Sequence, residues 1–87
     1  MSYGYGFTEP ALRQFQQLDS RLGEETLDEL EALAANPPAI RLRSPAGFVH
    51  DFVRMRGTTT IYVFLTIVPD LAGQRLSVTN VGLFVKS

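Results

Sequence analysis

The 87-residue sequence contains no cysteine and only one histidine. Without cysteine the chain can form no disulfide, thiolate nucleophile, zinc knuckle or iron–sulfur site, and a reducing cytoplasm is the simplest compartment. A single histidine is too few to build a transition-metal site. We therefore expect neither a metal nor any other cofactor.

The sequence also lacks a long hydrophobic run. Its longest apolar stretch, residues 61–68, is interrupted by Thr66 and is far too short to span a bilayer. The first residues show no basic region followed by an apolar run, so they do not predict a secretory signal. A cytoplasmic protein with no membrane partner is expected, with residues 1–87 forming one domain around one core.

The charges are distributed unevenly along the chain. Residues 1–38 carry two arginines and seven acidic residues, a net charge of −5, whereas residues 39–87 carry six basic and two acidic residues, a net charge of +4. Such asymmetry can mark one face for an anionic partner. A solvated helix pair beside an arginine-edged sheet explains the charges equally well, and on charge alone we prefer that explanation.

The first part of the sequence predicts a short strand followed by two helices. Residues 3–7 alternate aromatic residues with glycine, which is typical of a strand with one buried face. Thr8 predicts the N-cap of a first helix, and apolar residues at helical spacing continue it to Leu22. Gly23 is expected to separate this helix from a second one over residues 24–35, in which the helix dipole stabilises the acidic side chains. Pro37 and the proline after it end the pair, which should form an antiparallel hairpin.

The remainder of the sequence predicts strands. Residues 40–43 alternate apolar residues with arginine and predict a short strand, and residues 48–56 predict the next one. Residues 59–68 are apolar on both faces and therefore belong at the sheet centre. Residues 69–73 predict a turn into a last strand over residues 74–85. The predicted fold is α+β, with a two-helix hairpin packed on one face of a twisted, mainly antiparallel sheet.

This fold predicts a core formed between the helices and the inner strands. Its predicted buried members are Phe15, Leu18, Leu27, Leu30, Leu33, Val63, Leu65 and Val81.

Arginine is the residue type that offers candidate chemistry, because generic catalytic motifs are absent from the sequence. Arg54 and Arg56 are two residues apart on one predicted strand, so they share a face, and each can grip a phosphate with a planar bidentate fork. Arg41 and Arg43 repeat the spacing on the preceding predicted strand, and the four guanidiniums would form one basic surface if the two strands were neighbours. Arginines that merely protect a sheet edge are the alternative explanation.

His50 is the remaining candidate for acid–base chemistry. Its neighbour Asp51 faces the other side of a flat strand, so the two side chains cannot form a dyad. A surface or sheet-edge histidine is therefore the expected role from the residues alone.

Five phrases, in their order and spacing, resemble toxins of the RelE/ParE superfamily from about Tyr3 to the end of the chain. They are residues 8–15 (TEPALRQF), residues 30–37 (LEALAANP), residues 51–57 (DFVRMRG), residues 61–64 (IYVF) and residues 82–87 (GLFVKS). The first two are the most recognisable, and the last is similar to the ending of the HigB-like branch.

The resemblance implies a compact toxin that an antitoxin protein neutralises. We favour the RelE and HigB branches, which imply a metal-independent endoribonuclease that acts on mRNA in the ribosome. The alternatives are a ParE-like inhibitor of DNA gyrase and a non-catalytic interaction module on the same fold. By position, the resemblance implies catalytic roles for Arg54, Arg56 and Lys86. Arg41, Arg43 and His50 are the further residues that we expect to contact nucleic acid. Arginine suits metal-free RNA cleavage because it stabilises the extra negative charge of the transition state.

Overall fold

The computed structural model describes residues 2–87, which form seven elements. In chain order these are β1 (Gly4–Phe7), α1 (Glu9–Gln16), α2 (Ser20–Ala35), α3 (Ala39–Leu42), β2 (Phe48–Arg56), β3 (Thr59–Asp70) and β4 (Arg75–Lys86). No helix among these residues is both long enough and apolar enough to cross a membrane.

The four strands form one mixed sheet in the order β1-β4-β3-β2. β1 runs parallel to β4, whereas β2–β3 and β3–β4 are antiparallel pairs. β3 lies inside the sheet, as its apolar sequence predicts. The predicted α+β fold, with helices on one face of a mainly antiparallel sheet, is confirmed.

The helix-covered face of the sheet supplies the core. Alternate residues of β3, from Ile61 to Ile67, are buried against apolar residues of the helices, among them Ala11 and Leu30. Five of the eight predicted core residues are buried: Leu30, Leu33, Val63, Leu65 and Val81. The other three, Phe15, Leu18 and Leu27, are half-buried.

The boundary between α1 and α2 differs from the prediction, which placed a break at Gly23. α1 ends at Gln16, and α2 begins at Ser20 because the Asp19 side chain accepts a hydrogen bond from the Leu22 N–H at 2.8 Å and caps the helix. Gly23 lies buried inside α2, where a side chain would meet the Phe15 ring at 3.7 Å. A β-carbon there would make only ordinary van der Waals contact with the ring, so this glycine neither ends a helix nor is required for the packing of the two helices.

Residues 40–43 were also predicted incorrectly, as a strand. The segment instead contains α3, a single turn that follows the two prolines, with Ile40 exposed and Leu42 packed against the core. Four residues are too few for a two-residue alternation to be distinguished from a helical turn that buries one side chain.

Candidate functional site

Arg54 and Arg56 lie on the face of the sheet that the helices cover. β2 pairs residue by residue with β3, and Arg54 is opposite the buried Ile61. Since every second residue of a strand shares a face, Arg56 and His50 lie on this side as well. The two arginines are thus on one face, as their spacing predicts, and that face carries α2.

Arg54 is held by carboxylates of α2. Its Nε contacts Glu25 Oε2 directly, and one terminal nitrogen is 3.7 Å from Glu29 Oε2. Its guanidinium carbon also lies 4.8 Å from the centre of the Phe52 ring, a cation–π arrangement. With 36% of its side chain exposed, Arg54 is oriented from several sides but is not sealed from solvent.

Arg56 joins the same network. Its NH1 donates to Asp19 Oδ2 at 2.8 Å, and its NH2 is 3.6 Å from Glu25 Oε1. Glu25, with 19% of its side chain exposed, therefore bridges the two arginines. We call Arg54, Arg56, Asp19, Glu25 and Glu29 the arginine–carboxylate network.

The hydrogen bonding of this network is incomplete. Three of its buried side-chain atoms, Glu25 Oε2 and the Nε and NH2 atoms of Arg56, form no aligned hydrogen bond with residues 2–87. The Glu25 contact with Arg54 is thus a close approach of opposite charges without hydrogen-bond geometry. Buried polar atoms without partners are uncommon in folded proteins, and they mark a place where another ligand can improve the bonding.

The hydrogen bond between Arg56 and Asp19 changes the acidity of both groups. Donation by the Arg56 guanidinium, followed by the backbone hydrogen bond from Leu22, lowers the pKa of Asp19 below its usual value of 3.8. The same contact raises the pKa of Arg56. Asp19 therefore links the start of α2 to the end of β2 through its ionised form.

We expect Asp19→Asn to weaken the dependence of stability on pH in acid. Because the pKa of Asp19 is lowered in the folded chain, its stabilising contribution is complete above pH 3.8 and is lost as the pH falls through the lower folded-state value. Asparagine retains the helix cap but not the charge. Urea unfolding at a series of pH values should show wild type more stable near neutrality and the two proteins converging in acid. The control Asp28→Asn, at an exposed position of the same helix, should show the same pH dependence of stability as wild type. A difference in stability between wild type and Asp19→Asn that stays constant with pH would contradict the prediction.

His50 lies on the same face of β2, beyond Phe52, and also contacts α2. Its Nε2 is 3.0 Å from Glu29 Oε1, and both side chains are about one-third exposed or less. The α2 acids were interpreted from the sequence as partners of the helix dipole, but α2 has no acidic residue in its first turn. Glu25 and Glu29 of α2, together with its N-cap Asp19, instead contact basic side chains of β2. Local sequence does not reveal such long-range pairing.

Arg41 and Arg43 lie apart from Arg54. Arg41, on α3, has its guanidinium carbon 5.6 Å from the centre of the Phe48 ring, and Arg43 follows it as the C-cap. Phe48 begins β2 and lies six residues from Arg54, which corresponds to about 20 Å along a strand. A basic surface built from two adjacent arginine-bearing strands is therefore not formed.

Lys86 lies on the opposite face of the sheet. It ends β4 opposite Thr60, whereas Arg54 shares its face with Ile61 and Val85. The three residues that the resemblance implies to be catalytic thus do not converge on one point. Among residues 2–87 there is likewise no group of three or more acidic or histidine side chains placed to hold a metal ion.

The face that carries Lys86 is open and largely apolar. Val53, Tyr62 and Phe84 form one cross-strand row, and Phe64 follows on β3. The Tyr62 ring centre is 5.9 Å from that of Phe84 and 6.4 Å from that of Phe64, and Phe84 is 55% exposed. This aromatic face was not predicted as a site. Its signal in the sequence is that β3 is apolar on both faces, whereas the helices can cover only one of them.

The outer edge of β4 is open near its end. β1 pairs only with the first part of β4, up to Val78, and the Gln14 side chain then accepts a hydrogen bond from the Val81 N–H at 2.7 Å. Because antiparallel pairing alternates, the N–H and C=O groups of Leu83 and Val85 also point outward. Within the described part of the chain they meet no neighbouring strand, so the edge is available for strand addition.

Comparison with solved structures shows that this chain has the fold of RelE. A chain of the intact Escherichia coli RelBE toxin–antitoxin complex matches with a TM-score of 0.68 and 21% identity, over 93% of this chain and 95% of that one. A mutant E. coli toxin RelE in the free state matches with a TM-score of 0.65 and 18% identity, over 94% and 83%. A chain of the archaeal RelE–RelB complex from Pyrococcus horikoshii matches with a TM-score of 0.57 and 11% identity, over 93% of each chain. No protein-family model and no curated protein sequence matches.

Proposed function

We propose that this chain, which has the RelE fold, is the toxin of a toxin–antitoxin pair. The observation that supports the proposal most is the extent of the structural match, which covers at least 93% of this chain and extends both to a free toxin and to toxin–antitoxin complexes. The match thus extends over nearly the whole fold and not over one part of it.

The activity that the proposal assigns is metal-independent cleavage of mRNA in the ribosome. Arg54 and Arg56 are its phosphate-binding residues because their guanidiniums lie on one strand face and both contact the carboxylate of Glu25. Groups that hold a carboxylate by charge can hold a phosphate in the same way, and a bidentate fork can stabilise the charge of a pentacoordinate transition state. His50 is proposed as a further RNA contact beside this pair, whereas Arg41, Arg43 and Lys86, which lie apart from the pair, are proposed as contacts at the periphery of the bound RNA.

The partner that the proposal assigns is an antitoxin protein covering the open sheet surface. The aromatic face holds Tyr62, Phe64 and Phe84, and the strands place two basic residues, Arg75 and Lys86, and two acidic residues, Asp51 and Asp70, on the same side, a net charge of zero. A surface so apolar and so weakly charged favours protein over nucleic acid as its occupant. The open edge of β4 beside it suits an extended segment that adds a strand, as segments that fold on binding often do.

A non-catalytic interaction module is the second candidate function. The feature that favours it is the separation of Lys86 from the arginines by the sheet, together with the carboxylates that occupy both guanidiniums. On this alternative the chain would bind a protein partner through the aromatic face without cutting RNA.

Controlled expression in bacteria, alone and together with the adjacent small gene product, tests these functions. We expect growth arrest with the chain alone, cuts in transcripts spaced by codons when 5′ ends are mapped, and recovery of growth with the partner present. Arrest with intact transcripts and a DNA-damage response would assign gyrase as the target instead. A stable complex with no growth defect would contradict the toxin and support the interaction module.

A further inference from the structure

Glu25 occupies the position between Arg54 and Arg56 that an external anion would take. One carboxylate oxygen contacts Arg54 Nε, and the other is 3.6 Å from Arg56 NH2. The Glu25 side chain is mostly buried, so it competes for both guanidiniums from inside the protein. With Asp19 and Glu29, the network sets three carboxylates against two guanidiniums, a net charge of −1 that the nearby Arg21 brings to zero. An approaching phosphate is therefore not attracted to the site in this arrangement.

The geometry also indicates that Glu25 is an imperfect ligand. Glu25 Oε2 and two nitrogens of Arg56 are buried without aligned hydrogen bonds. A planar carboxylate that reaches in from α2 leaves these donors unused, whereas a phosphate that enters freely can orient its oxygens toward both forks. The unused donors leave room for a ligand that bonds both forks better than Glu25 does.

A second partner for Glu25 lies just outside the network. Arg21, one turn earlier on α2 and largely exposed, has its Nε 3.4 Å from Glu25 Oε1. Residues at this spacing are neighbours on a helix surface. The Glu25 carboxylate can therefore turn outward to Arg21 by a rotamer change without movement of α2.

We infer that Glu25 is an intramolecular competitor for the anion site of Arg54 and Arg56, and that a phosphate group of RNA binds there by displacing Glu25 toward Arg21. The inference rests on the assignment of phosphate binding to these arginines under the proposed function. It adds that Glu25 occupies the anion site in the free chain, and that Glu25 and Arg21 together set how readily a phosphate replaces it.

RNA binding by the purified full chain tests this inference. The probe is a short single-stranded RNA of fixed sequence, and affinity is measured by fluorescence anisotropy at constant ionic strength. Glu25→Gln should bind about tenfold more tightly than the control Glu24→Gln, since a competing charge-assisted contact is removed in one and not in the other. Both changes remove one negative charge, and Glu24 is exposed and forms no ion pair with residues 2–87. In the Arg54→Ala, Arg56→Ala background the advantage of Glu25→Gln should vanish.

A second pair of variants preserves the test if Glu25→Gln unfolds. Arg21→Ala should weaken RNA binding more than Arg13→Ala, because only Arg21 stabilises the displaced carboxylate. Each arginine is exposed and pairs with a glutamate four residues away on its own helix, so the two changes in charge are matched. Equal affinities within each pair of variants, or no RNA binding by any of them, would overturn the inference. Growth arrest is measured separately, so tighter binding by Glu25→Gln in a chain that is not toxic would support the inference while contradicting the proposed function.

Discussion

The double substitution Arg54→Ala, Arg56→Ala is expected to abolish growth arrest when the chain is expressed without its partner. A charge-assisted hydrogen bond contributes about 1.5 to 3 kcal/mol, and roughly 1.4 kcal/mol corresponds to a tenfold change in rate when the contact forms only in the transition state. Loss of two such contacts should lower RNA cleavage about 100-fold or more. Transcript 5′-end mapping in the same cells should show that the cuts disappear together with the arrest.

The comparison variant is Arg41→Ala, Arg43→Ala, which removes the same charge from α3. Arg41 contacts Phe48, which begins β2 about 20 Å from Arg54 by strand geometry, so we expect weaker RNA association and a much smaller loss of toxicity. Equal losses in the two double variants would show that net charge matters and the position of the guanidiniums does not. A fully toxic Arg54→Ala, Arg56→Ala protein would show that the site has been assigned to the wrong residues.

The thermal stability of Arg54→Ala, Arg56→Ala has to be measured alongside its toxicity. Exposed arginines usually contribute little to folding, so their spacing alone would predict that the loss of both is nearly neutral for thermal stability. The structure changes that expectation, because both pair with α2 and their removal leaves Glu25, mostly buried, with only the surface Arg21 as a cation. We now expect a lower melting temperature. Arg54→Lys with Arg56→Lys retains the charges but not the planar forks, so loss of cleavage in a chain with near-normal melting would isolate the chemical role.

The sequence predicts this fold well where the determinants are local. Thr8 caps α1 as expected, with its hydroxyl accepting from the Ala11 N–H, and the β2–β3 hairpin turns at Gly57, whose φ of +63° suits glycine. Asp19 was counted only among the acidic residues of residues 1–38. An aspartate before a helical pattern is, however, also a capping signal. Recognising it would have placed the start of α2 correctly and Gly23 inside the helix.

The candidate site is predicted less well because it depends on pairing between distant segments. Spacing alone gives Arg54 and Arg56 one face, but it does not say which face, and the face is decided by the burial of their strand neighbours Phe48 and Phe52. The acids of α2 reach these arginines across 25 or more residues of sequence. Periodicity carries no information about such contacts, so the arginine–carboxylate network appears only when α2 is placed over β2.

Leu30→Ala is expected to cause the largest loss of stability among single substitutions. Leu30 lies on the buried side of α2, is fully buried and belongs to the cluster that joins the helices to the sheet. Deleting most of a buried leucine costs about 2 to 5 kcal/mol, whereas a whole domain is stable by only about 5 to 15 kcal/mol. Denaturant unfolding should show a fall within this range, and the exposed Leu71→Ala should change stability by about 0.5 kcal/mol or less.

The same variant separates loss of fold from loss of chemistry. Leu30→Ala should reduce toxicity in proportion to the unfolded fraction, whereas Arg54→Ala, Arg56→Ala should eliminate it even at temperatures where the chain is folded. A partner that binds only the folded chain restores stability by mass action, about 2.7 kcal/mol when its free concentration is 100 times its Kd. Co-expression of the antitoxin should therefore raise the soluble yield of Leu30→Ala strongly. If Leu30→Ala unfolds no more readily than Leu71→Ala, then α2 does not anchor the core, and the placement of Glu25 over the two arginines loses its structural basis.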